Sequence, residues 1–187
     1  MLDILNNIPD KRKDKNTTSL KFKTDIIDYF QDLNLKRCIE VGTNIGYSTR
    51  ILSFLFNEVI TIENNLDNIN RAIDFNSDRD NITYLHGDVY NSTWDIEDSD
   101  VSFIDCVHTY DAVMHDIQLS LKCNVSYLIF DDYGIDREMK RAIDDFINSR
   151  SDIEVVYIGE PAGSEPRIGK PLRDFEGVII KFIEHEA

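Results

Sequence analysis

From Ser19 to Leu33 the chain reads SLKFKTDIIDYFQDL, with apolar residues at Leu20, Phe22, Ile26, Ile27, Phe30 and Leu33. That three-to-four spacing predicts a helix with one buried face. The next apolar run, KRCIEVG (36–42), is short and ends on glycine, which predicts a strand. From there the two patterns alternate. Helical periods over 47–56, 65–75, 109–122 and 136–148 are separated by strand-like runs over 58–64, 82–88, 100–106 and 125–132. Two last strand-like runs, IEVVYIGE (153–160) and EGVIIKFIE (176–184), follow with a Gly/Pro-rich loop and no helix between them.

Strands that alternate with helices along a whole chain form a mostly parallel sheet with both faces covered. The expected fold is therefore α/β: a doubly wound, seven-stranded sheet whose final pair, lacking a crossover helix, runs antiparallel at one edge. Residues 1–16 are polar and charged, with Pro9 in the middle, and predict a flexible segment; residues 17–187 predict a single domain. No composition shift, repeat or low-complexity tract divides it further.

Composition narrows the function. At 187 residues and 42% hydrophobic, the chain has material for one sizeable core. Its 35 acidic against 20 basic residues give a formal net charge of −15, which repels phosphate polyanions and opposes stable nucleic-acid binding. A small substrate remains compatible. Cys38, Cys106 and Cys123 are far apart and match no metal-ligand spacing, so they read as reduced core thiols. The N-terminus has its apolar residues before its basic ones, unlike a secretory signal, and no apolar run is long enough to span a bilayer. A soluble, cytoplasmic protein with no membrane partner is expected.

In open α/β sheets ligands bind beyond the carboxyl ends of the strands, so those ends are where chemistry is sought. The first strand ends EVGTNIGYS, where Gly42 and Gly46 bracket a turn running into a helix. Such a turn lets backbone approach a nucleotide closely, and is also what plain strand-to-helix packing uses. The dinucleotide spacing G-x-G-x-x-G is not met, since Asn44 stands between the glycines. Glu40, two residues before Gly42, suits a ligand amino group better than a pyrophosphate, which argues against NAD. Glu63 ends the second strand about twenty positions later, where an acid accepts from ribose hydroxyls or, alternatively, caps the helix that follows. Asp88, after the third strand, is placed to meet an adenine amine, or forms an ordinary Gly-Asp turn. Tyr47, Trp94 and Tyr133 are aromatic candidates for stacking on a base or walling a pocket, with burial in the core as their default role.

The fourth strand ends SFIDCVHTYDAV and the fifth YLIFDDYG. Asp105 caps one, and Asp131 and Asp132 cap its expected neighbour. Adjacent carboxylates repel and raise each other's pKa unless a cation intervenes. Three of them at one edge call for a hard cation held by oxygen, Mg²⁺ being the usual one; the pair alone is also what a turn and helix cap would leave. His108 is the candidate general base, since an imidazole titrates near neutrality. Arg167, Lys170 and Arg173, in the loop before the last strand, read equally as a substrate lid or a solvated connection.

Together these stretches resemble the class I S-adenosylmethionine-dependent methyltransferases over most of the chain. EVGTNIGYS resembles their first motif, which implies cofactor contacts from Glu40, Gly42, Asn44, Gly46, Tyr47 and Ser48. Glu63 matches the ribose-binding acid and Asp88 the adenine-side acid. FIDCVHTYDAVMHDI and YLIFDDYG resemble a narrower group, the metal-dependent O-methyltransferases of catechol, caffeoyl-CoA and, closer still, macrolide and aminocoumarin sugars. The resemblance implies Mg²⁺ on Asp105, Asp131 and Asp132, and His108 where catechol enzymes place a lysine base, within a D-x-x-H-x-Y pattern. Cys106 stands where these relatives carry glycine. The expected activity is methyl transfer to a hydroxyl of a small molecule. The alternatives are a metal-dependent hydroxylase or other oxidoreductase of the same fold, and a non-catalytic S-adenosylmethionine-binding protein. Sugar O-methyltransferases form larger assemblies, but this chain lacks extra interface segments, so a monomer or homodimer is expected.

Overall fold

The computed structural model describes residues 4–5, 8–10, 17–90, 96, 98–165 and 171–183. Trp94, Arg167 and Lys170 lie outside the described residues, as does much of the N-terminal segment. Of that segment, Ile8 is buried in one of the two cores.

The elements follow the predicted alternation: α1 (Leu20–Phe30), β1 (Arg37–Val41), α2 (Tyr47–Leu55), β2 (Glu58–Glu63), α3 (Leu66–Phe75), β3 (Ile82–His86), β4 (Val101–Ile104), α4 (Tyr110–Lys122), β5 (Tyr127–Phe130), α5 (Arg137–Asn148), β6 (Ile153–Ile158) and β7 (Gly177–Phe182). α1 is shorter than its apolar period suggested. Its inner face of Phe22, Ile26, Ile27 and Phe30 is buried, while Leu33 falls beyond the helix and is exposed. Asn34, with φ of 51°, takes the left-handed conformation in the connection between α1 and β1. Capping is local and legible: Ser19, Asn65, Thr109 and Asp136 each accept a backbone N–H in the first turn of α1, α3, α4 and α5.

The strands form one sheet in the order β3-β2-β1-β4-β5-β7-β6. β3, β2, β1, β4 and β5 run parallel, and β7 is antiparallel to both β5 and β6. The antiparallel pair sits at one edge as expected, with β7 inserted between β5 and β6. Burial explains the order: the first four residues of β7 are all buried, whereas β6 alternates and carries exposed Val156 and Tyr157, as an edge strand does. Two cores flank the sheet. One gathers Phe22, Ile26, Ile27 and Phe30 of α1 with Ile51 and Leu52 of α2; the other gathers Val113 and Ile117 of α4 with Met139, Ile143 and Phe146 of α5. Each such side chain removed from water contributes about 1.5–3 kcal/mol. No helix among the described residues is long and apolar enough to cross a membrane.

Strand order reverses between β1 and β4. Helices leave these two strands in opposite directions, and a crevice opens at their carboxyl ends. The Asp105 N–H bonds the Val41 carbonyl at 3.0 Å, so the last residues of both strands stand side by side at that point.

Candidate active site

A cleft of about 570 Å³ occupies the crevice. Gly42, Asn44 and Glu63 line one wall, and Asp105, His108, Asp131 and Asp132 line the other. A smaller recess continues past Gly42 and Glu63 towards Asp88, Val89 and Tyr90, with Cys106 common to both spaces.

The turn after β1 is fixed by steric need. Gly42 has φ of 99°, and a Cβ there would lie 2.0 Å from the Asp105 carbonyl oxygen. Gly46, at φ of 82°, would drive a Cβ to 2.6 Å from the Asn76 side-chain nitrogen. Both glycines thus have a packing reason, and only Gly42 also faces the cleft. Glu63 binds the turn from the neighbouring strand, accepting the N–H of Asn44 and of Asn65 at 2.9 Å each. Asp88 accepts the Tyr90 N–H at 2.9 Å, the local turn bond open to it from sequence, while lining the recess. Tyr47 and Ser48 are not among the residues lining the cleft. Tyr47 packs edge-on against Phe75, and Ser48 faces α1.

Glu40 is the largest departure on this wall. It is fully buried beneath the turn and does not line the cleft. Its Oε2 accepts the hydroxyls of Thr49 and Thr61, each at 2.6 Å, and its Oε1 has no hydrogen-bond partner among the described residues. Burial raises its pKa, the two hydroxyls only partly offset that, and the carboxyl is pushed up to about 8. Glu40 still lies within β1, covered by the hydroxyls of Thr49 and Thr61, whereas Gly42 lies past the strand's end, where the backbone meets the cleft.

On the opposite wall the groups that converge are Asp105, His108 and Asp132, with ligand atoms all within 4.8 Å of one another. His108 Nε2 lies 3.4 Å from Asp105 Oδ1, and Nδ1 lies 3.9 Å from Asp132 Oδ2. The three-aspartate cluster expected from sequence is thereby altered: Asp131 lines the cleft but is not in this triad. Asp131 still follows β5, its N–H reaching the Ile104 carbonyl, whereas Asp132 turns off with φ of 54°. That left-handed turn, uncommon outside glycine and asparagine, swings Asp132 to His108.

Burial alone would lower the His108 pKa. The hydrogen bond and charge of Asp105, with Asp132 and Asp131 beyond, outweigh it and raise the imidazole to about 9. At neutral pH His108 is thus a cation, and it answers the doubled negative charge. Ligand atoms around Mg²⁺ sit about 2.1 Å from the ion, hence roughly 3–4 Å apart. The Asp105 and Asp132 carboxylates, gathered here around His108, are the oxygen donors a divalent cation takes, and its charge would compete with the His108 proton.

One lining residue gave no signal in the sequence. Thr17 reaches the cleft from the segment before α1, is 7% exposed, and its hydroxyl has no hydrogen-bond partner among the described residues. A lone threonine in a polar stretch has no pattern to mark it. Tyr133, by contrast, is buried with its hydroxyl on Asp144, away from any base-stacking role.

No protein-family model and no curated protein sequence matches the chain. Solved structures do share its architecture. An O-methyltransferase from Bacillus cereus, in complex with SAH, is 16% identical with a TM-score of 0.68, over 98% of this chain and 87% of that one. The O-methyltransferase TomG from Streptomyces achromogenes, in complex with SAM, is 15% identical with a TM-score of 0.62, over 87% and 78%. An rRNA methylase from Streptococcus thermophilus is 12% identical with a TM-score of 0.63, over 89% and 100%. What these proteins share with this chain is the Rossmann-like methyltransferase fold; their names range from O-methyltransferase to rRNA methylase.

Proposed function

We propose that the chain is an S-adenosylmethionine-dependent methyltransferase acting on a hydroxyl of a small molecule, assisted by a divalent cation. One observation carries this reading: a nucleotide-type wall (Gly42, Glu63) and a cation-type wall (Asp105, His108, Asp132) face each other across a single cleft at the strand-order switch. Glu63 accepts from the ribose hydroxyls, and Asp88, in the adjoining recess, from the adenine amine. The Thr17 hydroxyl, which lines the cleft and has no hydrogen-bond partner among the described residues, is left for the amino-acid end of the cofactor. The cofactor supplies an electrophilic sulfonium methyl. A bound Mg²⁺ would supply a Lewis acid that lowers the acceptor hydroxyl's pKa.

Asp105 and Asp132 would hold the ion, with Asp131 adding negative charge beside them. With that charge answered by a metal, His108 loses the cause of its raised pKa and is left as a neutral base next to Asp105. It would then take the acceptor's proton as the oxygen bonds to the methyl carbon and the methyl–sulfur bond breaks. Holding both reactants in one cleft turns a bimolecular displacement into a step within a complex.

A net charge of −15 favours a small acceptor over RNA, whatever the fold's other uses. An iron oxygenase site uses two histidines and one carboxylate, and here one histidine accompanies two carboxylates. The test is calorimetry of S-adenosylhomocysteine against NAD, then a Mg²⁺-dependent screen of hydroxylated acceptors. Binding of NAD alone would refute the reading.

A further inference from the structure

Glu176 closes the connection between β6 and β7 and is fully buried, a costly place for a carboxylate. Its partners come from two distant parts of the chain. Oε1 accepts the Ser19 backbone N–H at 2.9 Å, and Oε2 accepts the Ser19 hydroxyl. Oε2 also accepts the Glu160 N–H at 3.3 Å. Ser19 is the N-cap of α1, and its Oγ accepts the Phe22 N–H at 3.0 Å. The hydroxyl is thus used in both directions, and a carboxylate sits where the helix dipole favours one.

The segment held this way is the one that enters the cleft. Thr17, with its buried hydroxyl lacking a hydrogen-bond partner among the described residues, is two residues ahead of Ser19. Between them the Thr18 carbonyl accepts from the buried Lys23 ammonium, which also donates to the Pro9 carbonyl at 2.9 Å. The strap is therefore gripped at Ser19 by Glu176 and at Thr18 by Lys23, leaving the Thr17 side chain as the end that meets a ligand.

We infer that Glu176 is a positioning residue for the cofactor. By fixing Ser19 it sets where the Thr17 hydroxyl stands in the cleft, and through Glu160 it ties the β6–β7 connection to the same point. This rests on the methyltransferase reading above. A carboxylate serving stability alone would change the melting temperature and leave ligand affinity untouched.

The test is a double-mutant cycle read by calorimetry with S-adenosylhomocysteine, well below the melting point of every variant. Thr17→Val and Glu176→Gln should each raise Kd roughly five- to tenfold, the size of one lost ligand hydrogen bond. Glu176→Gln keeps the shape but turns an NH₂ towards donors. The double variant should bind no more weakly than the weaker single, because Glu176 acts through Thr17. Mg²⁺ affinity should stay at the wild-type value in all three. Ser19→Ala breaks the same link from the other side, and serves if Glu176→Gln does not fold. Additive effects, or a wild-type Kd in the Glu176 and Ser19 variants, would overturn the inference alone. Failure of the wild type to bind S-adenosylhomocysteine would overturn the methyltransferase reading, and this linkage with it.

Discussion

Replacing Glu40 by glutamine removes an ionisable group from a fully buried site and nearly preserves its shape. The carboxyl ordinarily titrates at 4.5 and is pushed up to about 8 in the folded protein. Between those values the folded state keeps a proton that the unfolded state has lost. Stability therefore falls as pH rises through this window, and the cost is complete above the folded value. At about 1.4 kcal/mol per pH unit, the gap amounts to ~5 kcal/mol at most. The glutamine variant has no such slope. Whatever its amide costs beside Thr49 and Thr61 is independent of pH, and the slope from the rest of this acidic chain cancels in the difference. Relative to wild type, Glu40→Gln should thus gain stability steadily from pH 5 to about pH 8 and level off above it. For a domain of this size, that is about 10 °C of melting temperature across the range. Thermal melts of both proteins at half-unit pH intervals give the result directly. A melting-temperature difference that stays flat from pH 5 to 8.5 would show that Glu40 is ionised in the fold, and would refute the reasoning.

Asp132→Asn keeps the left-handed backbone, which asparagine tolerates, so it should fold normally and lose Mg²⁺ affinity at least tenfold while binding S-adenosylhomocysteine as before; equal Mg²⁺ titrations would remove the metal site. Because His108 holds its proton up to about pH 9, wild-type Mg²⁺ affinity should rise by up to tenfold per pH unit between pH 6 and 9, and a pH-independent affinity would count against His108 in the triad. Gly42→Ala puts a methyl 2.0 Å from the Asp105 carbonyl at a φ of 99°, and should cost about 3 kcal/mol or more in urea unfolding; wild-type stability would mean the turn relaxes freely. Light scattering should return a monomer or dimer, and a stable hexamer would contradict that.

Much of the site is written in short stretches of sequence because its causes are short-range. Gly42, Glu63, Asp105 and the Asp131–Asp132 pair each end a strand, and a strand's end is marked where an apolar run stops. A parallel sheet then brings those ends to one edge, so alternation of strand and helix was enough to place them together. His108 is legible for the same reason, three residues after Asp105. The tertiary structure alone decided the rest. Which of two adjacent aspartates joins His108 depends on a backbone angle at Asp132, and Glu40's withdrawal beneath the turn depends on hydroxyls of α2 and β2. β7's place inside the sheet depends on which strand can bury both faces against the two cores. The bond from Glu176 to Ser19 spans 157 residues and brings Thr17 over the cleft. Sequence pattern records what a residue's near neighbours require. A hydroxyl or carboxylate whose partner arrives from the far end of the chain leaves no period, spacing or motif to read.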